Sequence, residues 1–242
     1  SLMKNIKFAK SEITQLKKVY QSTHDFFNYL ISNRILNSKT SKVIDAGCGY
    51  GSNIQFISRK YPSIEFHGWD YHQKKIEIAK KINFSKKNFF KRTNLLKIKN
   101  NKELNIDLVF SIHTFCCFKD ISIAINSISK IKAKWIAINS LFYDGPLDAL
   151  IHIRTKDNFN YDNNPDSDFN IHSIERLKKS LSKNGYTTFK IVPYYPKKKI
   201  KRKSKKRGSY TIKTELNKNT TFSGPVHLPW HFVIAKRKNN NR

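Results

Sequence analysis

Val43-Ile44-Asp45-Ala46-Gly47-Cys48-Gly49-Tyr50-Gly51 is the stretch on which the reading of this chain turns. Val43 and Ile44 are β-branched and apolar, as a buried strand requires, and Asp45 ends the apolar run. Gly47, Gly49 and Gly51 alternate, so the backbone can turn sharply and a ligand can lie against the main chain. Ser52 is placed to cap a helix whose apolar positions Ile54, Phe56 and Ile57 lead to Tyr61, where Pro62 stops it. Strand, glycine turn and helix follow in that order, with the helix N-terminus facing whatever the turn holds. A second acid, Asp70, ends the next apolar segment, residues 64–69, about where a ribose-binding carboxylate belongs.

A glycine-rich turn by itself is shared with dinucleotide sites. The Asp-x-Gly-x-Gly-x-Gly spacing and the acid closing the second strand narrow the field. In both features the chain resembles the class I S-adenosylmethionine-dependent methyltransferases; the competing reading is a doubly wound nucleotide fold without methyl transfer. The resemblance implies an α/β fold: a doubly wound, mostly parallel, seven-stranded Rossmann-like sheet whose last strand is antiparallel. It implies S-adenosyl-L-methionine as cofactor, with Gly47, Cys48, Gly49 and Gly51 in the cradle. Asp45 would help hold the methionine amino group, often through water, and Asp70 would bind the ribose hydroxyls. Tyr71 would lie against ribose or adenine. Asn94 and Leu95 stand where the family commonly has Gly-Asp-hydrophobic; an asparagine departs from that pattern, although its amide oxygen can accept one hydrogen bond.

At 242 residues the chain suits one domain with a full core. Residues 1–40 read as a leading helical segment, 41–140 as the cofactor-binding half and 141–242 as a substrate-side half carrying a basic insertion at 197–207. Ser1 and Leu2 ahead of Met3 resemble a cloning remnant. No apolar run approaches membrane-spanning length. Three cysteines make neither a disulfide framework nor a metal-ligand spacing, so a reducing cytoplasm is expected and no metal site. The formal charge of +30 attracts polyanions. Preference for Lys over Arg matches drift toward AT-rich codons, but drift does not account for 17 carboxylates against 47 bases.

Along the chain, residues 12–36 show helical spacing of apolar positions, with Phe26, Phe27 and Tyr29 as packing groups. Further helices are expected over 71–84, 120–131 and 173–184, the last ended by Gly185. Strands are expected over 88–92, 106–113, 134–140, 186–192 and 230–235, and a small hairpin over 210–222. β-α alternation of this kind builds a mostly parallel sheet. Ser111, Ile112 and His113 end the fourth strand, which by the resemblance points at the transferable methyl, with Ser111 counted among the cofactor contacts. His113 could take a proton from the acceptor. Cys116 and Cys117 read as buried fillers, since the Pro-Cys dipeptide of cytosine methyltransferases is absent.

Residues 141–172 form a connection too long for an ordinary loop. Tyr143, Asp144, His152 and Arg154 within it, with Trp230 and His231, are the expected substrate-side groups. Residues 162–168 mimic a calcium loop in composition alone. The run 197–207 holds nine bases in eleven residues and should stay unpacked. Without it the charge is still 30 less 9, or +21, so basicity is general. The expected activity is methylation of oxygen or nitrogen on a small polar or anionic metabolite, such as a sugar or nucleotide-sugar. RNA reached through the basic surface is the alternative acceptor, although no Asn/Asp-Pro-Pro-aromatic motif is present; a non-catalytic cofactor-binding protein is the third reading.

Overall fold

The structure is a computed structural model that describes residues 19–83, 85–99, 105–154, 167–202 and 208–238. Helix α1 (Gln21–Ser32) leads into strand β1 (Lys42–Ala46), then α2 (Ser52–Ser58), β2 (Glu65–Asp70), α3 (Gln73–Ile82), β3 (Asn88–Arg92) and β4 (Leu108–Ile112). Helix α4 (Ile121–Ser129) and the long β5 (Trp135–Tyr143) follow. The two-residue strands β6 (His152–Ile153), β7 (Ser167–Asp168) and β8 (His172–Ser173) precede α5 (Ile174–Lys183) and β9 (Tyr186–Pro193). Strands β10 (Ser209–Lys213), β11 (Asn219–Ser223), β12 (Val226–Leu228) and β13 (Trp230–Arg237) complete the described chain.

The main sheet runs β3-β2-β1-β4-β5-β13-β9, with β8 added beside the end of β5. The pairs from β3 to β5 are parallel, and β13 lies antiparallel between β5 and β9. The expected seven-stranded, doubly wound sheet with an antiparallel last strand is therefore present. Strand β4, Leu-Val-Phe-Ser-Ile, is buried along its whole length, as a central parallel strand covered on both faces must be. Alternation on β1 sends Ile44 and Ala46 to the face packed by α4 and α5, and Val43 to the face packed by α1, α2 and α3. The α1 face is unusually aromatic: Phe27 meets Phe110 edge-on at 5.2 Å, and Phe26 meets Phe232 at 5.1 Å. Phe26 and Phe27 are thus core, as their spacing suggested.

Several boundaries differ for local reasons. Residues 12–18 lie outside the described set, and α1 stops at Ser32, short of residue 36. Arg34 turns left-handed at φ 58°, and Ile35 N–H folds back to Leu30 O at 2.9 Å. Ile35 and Leu36 still reach the core from beyond the helix. Ser52 does not cap α2: Gly51, at φ 77°, takes the capping position and Ser52 is already helical. Ser173, by contrast, caps α5 by accepting Arg176 N–H.

The connection after β5 is shorter than read, because β5 runs on to Tyr143 and β6, β7 and β8 interrupt the rest; residues 155–166 lie outside the described set, including most of the calcium-loop mimic. The basic run is not wholly unpacked. Ile200 N–H donates to Thr211 Oγ1 at 2.9 Å, Thr211 N–H returns to Ile200 O at 3.0 Å, and Asn219 Nδ2 donates to Pro196 O at 2.8 Å. These hydrogen bonds tie the start of the run to β10 and β11; residues 203–207 lie outside the described set.

Candidate active site

Strand β1 delivers the glycine turn to the C-terminal edge of the sheet, beside the end of β4. Gly47 and Cys48 N–H both donate to Trp69 O, at 2.7 and 3.0 Å, so the turn is tied to the end of β2. Gly47 sits at φ 91°, and a Cβ there would collide with the side chain of Thr114. That position needs glycine for conformation and for space at once. Gly51 serves packing: a Cβ would meet Phe90 at 2.7 Å and Asn83 at 2.8 Å, and it does not line the cavity described next.

A cavity of about 610 Å³ opens over the turn. Its floor is Gly47–Tyr50, one side is Asp70–His72 with Asn94–Leu96, and the other is Ile112–Thr114 with Cys117 and Phe118. Val19, Tyr20 and Thr23 close it from the start of α1. Its size is that of a pocket for a molecule of cofactor dimensions.

Asp70 is nearly buried and already organised. Its Oδ2 accepts Gly49 N–H at 2.9 Å, and Oδ1 accepts His72 N–H at 2.9 Å, with His72 Nδ1 3.0 Å away. Asp45 lies behind the turn, fully buried, and neither carboxylate oxygen has a hydrogen-bond partner. Burial pushes its carboxyl well above the usual range; neighbouring Asn53 offsets part of this and the Asp70 charge adds to it. A buried, unsatisfied carboxyl beside a cradle of backbone is a ready partner for a cationic group.

The other expected cofactor contacts divide. Cys48, Leu95, Asn94 and Tyr71 line the cavity. Asn94 Oδ1, however, accepts Leu96 N–H at 3.0 Å, so the oxygen expected to read an amino group is engaged in its own turn. Tyr71 is exposed, with the Arg92 guanidinium 5.4 Å from its ring centre. Ser111 is a strand tie: its Oγ donates to Ala46 O at 2.6 Å, and it does not reach the cavity.

His113 does reach it, at a left-handed φ of 59° that few side chains adopt. Its N–H donates to Asn139 O at 2.9 Å, its Nε2 lies 3.1 Å from Ser22 Oγ, and its ring packs 4.4 Å from Trp230. Burial lowers its pKa to about 4, so the ring is neutral at pH 7. Cys116 is buried, but Cys117, at the end of the single helical turn Phe115–Cys117, is exposed and lines the cavity, contrary to the filler reading.

Tyr143, Asp144, His152, Arg154, Trp230 and His231 are not among the lining residues. Trp230 comes nearest, through His113. His152 is held by Asp168 at 2.6 Å across β6–β7, and His231 Nδ1 lies 3.0 Å from Pro229 O, with Asp144 close enough to be felt. Arg154 ends the described part of that segment. Sequence reasoning missed Tyr20, Thr23, Asn53, His72, Lys75 and Thr114. His72 and Thr114 had a signal, each lying just beyond a strand end already singled out; for α1 the family resemblance implies a leading helix over the pocket, without saying which of its residues line it.

Residues 44–133 match the family model described as a methyltransferase domain. Over that stretch the chain is similar to the class I S-adenosylmethionine-dependent methyltransferase superfamily. Among solved structures, it resembles a protein assigned as an S-adenosylmethionine-dependent methyltransferase from Listeria monocytogenes. There the TM-score is 0.61 at 11% identity, over 89% of this chain and 98% of that one. The 1,6-didemethyltoxoflavin-N1-methyltransferase of Burkholderia thailandensis, with its small molecule and S-adenosylhomocysteine bound, aligns with TM-score 0.56 at 11% identity, over 95% and 84%. A protein assigned as a sarcosine dimethylglycine methyltransferase from Galdieria sulphuraria aligns with TM-score 0.53 at 14% identity, over 72% of this chain and 62% of that one. The chain thus spans less than two thirds of that relative. No curated protein matches the chain in sequence. At these identities the structural likeness speaks for the fold.

The cofactor of this superfamily is S-adenosyl-L-methionine, and the cavity suits it: an orphaned buried carboxyl behind a glycine cradle, and a fixed carboxylate at the end of β2. Among the described residues no group of His, Cys, Asp or Glu is arranged to hold a metal, and no helix is long and apolar enough to cross a membrane.

Proposed function

We propose that this methyltransferase transfers a methyl group to oxygen or nitrogen of a small polar or anionic acceptor, of the size of a sugar or nucleotide-sugar. The observation that carries the reading is the joint presence, around one cavity, of the Gly49–Asp70 hydrogen bond and the end of β4 at His113, with the buried Asp45 carboxyl behind the glycine floor rather than among the lining residues. S-adenosylmethionine, when bound, supplies a sulfonium methyl electrophile. The chain's part is to bind, align and exclude water.

Asp45 would take the charge of the methionine ammonium, which returns its carboxyl to the ionised form. Asp70, held by two backbone N–H groups, keeps lone pairs for the ribose hydroxyls without reorganising. Leu95 and Tyr71 would flank the nucleoside. Asn94 contributes its amide N–H groups more readily than its engaged oxygen. Tyr20, His113, Cys117 and Phe118 would enclose the acceptor end. At a pKa of about 4 His113 is a weak base in the free protein; an anionic acceptor beside it would raise that value and improve it.

The small acceptor is supported by the enclosure of the cavity by α1 and by a fold shared with a structure that binds a small heterocycle. RNA is the second reading, favoured by the charge of +30. The test is to supply S-adenosylmethionine labelled in the methyl group to the protein with separated small-molecule and RNA fractions of a cell extract. Label in the small-molecule fraction is the expected result. Label in RNA overturns the small acceptor, and cofactor binding with no transfer to either fraction leaves a non-catalytic protein.

A further inference from the structure

Strands β10, β11 and β12 form an antiparallel sheet separate from the main one, and its two faces differ in kind. In register, Thr211, Thr221 and Leu228 stand opposite one another and are buried, as is Ser223. Leu228 and Val226 pack with Cys116, Leu141 and Trp230, so this face is docked on the main body beside the residue that backs His113. The alternate positions face outward, and there Tyr210, Phe222 and His227 stand opposite one another across all three strands. Tyr210 and Phe222 are stacked at 5.8 Å with 24° between planes, and Phe222 and His227 lie 5.2 Å apart. Exposed Ile212 continues the row.

Cross-strand ring pairs steady a small sheet, and the Tyr210 hydroxyl donates to Gly224 O at 2.9 Å, but three rings in a row on a solvated face also offer a stacking surface. Its surroundings are cationic. Arg202 lies 5.0 Å over the Tyr210 ring, and Lys197, Lys198, Lys199 and Lys201 precede it, all exposed. Lys213 and Lys218 are exposed at the β10–β11 hairpin. Residues 197–228 contain eleven Lys and Arg against the single acid Glu215. Flat π-faces in a row, bordered by cations, match a chain that alternates flat bases with phosphates. Burial keeps the His227 pKa below its ordinary value, so its ring is offered as a neutral stacking surface at pH 7.

We propose that the outer face of the β10–β11–β12 sheet is a docking site for single-stranded nucleic acid, with bases stacked on Tyr210, Phe222 and His227 and phosphates met by Arg202 and the neighbouring lysines. The inference concerns a second binding surface and holds whichever acceptor the cavity methylates. A duplex, whose bases are stacked on each other, could use the cations but not the rings.

The experiment measures fluorescence anisotropy of labelled 20-nucleotide oligouridylate, oligothymidylate and a duplex of equal length, at about 50 and 200 mM salt, without cofactor. Single strands are expected to bind more tightly than the duplex, and the RNA and DNA arms show which sugar is preferred. Tyr210→Leu/Phe222→Leu, which keeps apolar bulk in the strands, should weaken single-strand binding about tenfold or more while duplex binding stays the same. Lys197, Lys198 and Lys199 changed together to Ser should flatten the salt dependence for both. Unchanged melting and unchanged S-adenosylhomocysteine affinity confirm that both variants are folded. Equal affinity for single strand and duplex with no effect of the ring substitutions overturns the proposal, as does retention on anionic vesicles with no oligonucleotide binding. Since cofactor is absent, failure here leaves the methyl-transfer reading untouched.

Discussion

Gly49 donates its backbone N–H to Asp70 Oδ2 at 2.9 Å, which locks the glycine turn of one strand to the acid that ends the next. The carboxylate therefore has two tasks, fixing the turn and facing the cavity. Asp70→Ala should weaken S-adenosylhomocysteine binding at least about tenfold by calorimetry, and should also lower stability by roughly 1–3 kcal/mol through the donors it orphans. Asp70→Asn, which can still accept a hydrogen bond, should lose affinity with a smaller fall in melting temperature. Unchanged affinity in both would remove Asp70 from the site.

Two glycines of the same turn should fail in opposite ways. Gly47→Ala meets both a left-handed φ and the Thr114 side chain, so its main effect should be lost stability, about 2 kcal/mol or more. Around Gly49 a Cβ would meet nothing within 4 Å, and the residue lines the cavity. Gly49→Ala should cost roughly 1 kcal/mol for its φ of 53° and lose cofactor affinity disproportionately. Thermal melts and calorimetry on the same two proteins separate the cases.

Asp45 makes a prediction about pH. Its folded-state pKa is raised above the ordinary 3.8, so the folded protein holds more protons than the unfolded chain between the two values. The stability this provides is fully present below about pH 4 and is lost as pH rises through the folded value. Asp45→Asn should remove that loss, melting higher than the parent at neutral pH, while S-adenosylhomocysteine affinity falls about tenfold. A variant less stable at neutral pH, with affinity intact, would show that Asp45 supports the fold alone.

His113 has the opposite sign. With its pKa lowered from 6.5 to about 4, the unfolded chain takes up more protons between those values. Its contribution is present above pH 6.5 and fades as pH falls toward 4. If it serves as base, kcat/KM should show an acid limb near pH 4, and His113→Ala should lower turnover by about a hundredfold with cofactor affinity retained. An acid limb near 6.5 that survives the substitution would assign proton transfer to another group.

The sheet and its order were legible because apolar β-branched strands and short crossovers leave a strong local pattern; Asn88–Arg92 is found where the residues suggested. Part of the cavity wall was legible too, since Gly47, Gly49 and Asp70 are close in sequence and their spacing is set by one turn and one crossover. Ser111 was misjudged because a strand-end serine can face either the ligand or the neighbouring strand, and only register decides. The acceptor side was least legible. Tyr143, His152 and Arg154 are polar residues in a connection near the sheet's edge, but β5 carries Tyr143 past the cavity and the β6–β7 pair holds His152 against Asp168. The wall they were expected to form comes instead from Tyr20 and Thr23, almost a hundred residues before the strand end they face.

The position of β13 bears on how the protein comes into being. Trp230–Arg237 fills the gap between β5 and β9, pairing with Leu141 through Trp135 on one side and with β9 on the other. As the chain leaves the ribosome, β5 emerges long before its neighbour exists and presents an open hydrogen-bonding edge, and β9 does the same. The parallel half, through residue 143, can assemble while synthesis continues, but the sheet closes only after β13, which follows both partners in the chain, is released. Two unsealed edges on a nascent chain are sites for mispairing, and the charge spread along this sequence keeps such chains apart while they wait.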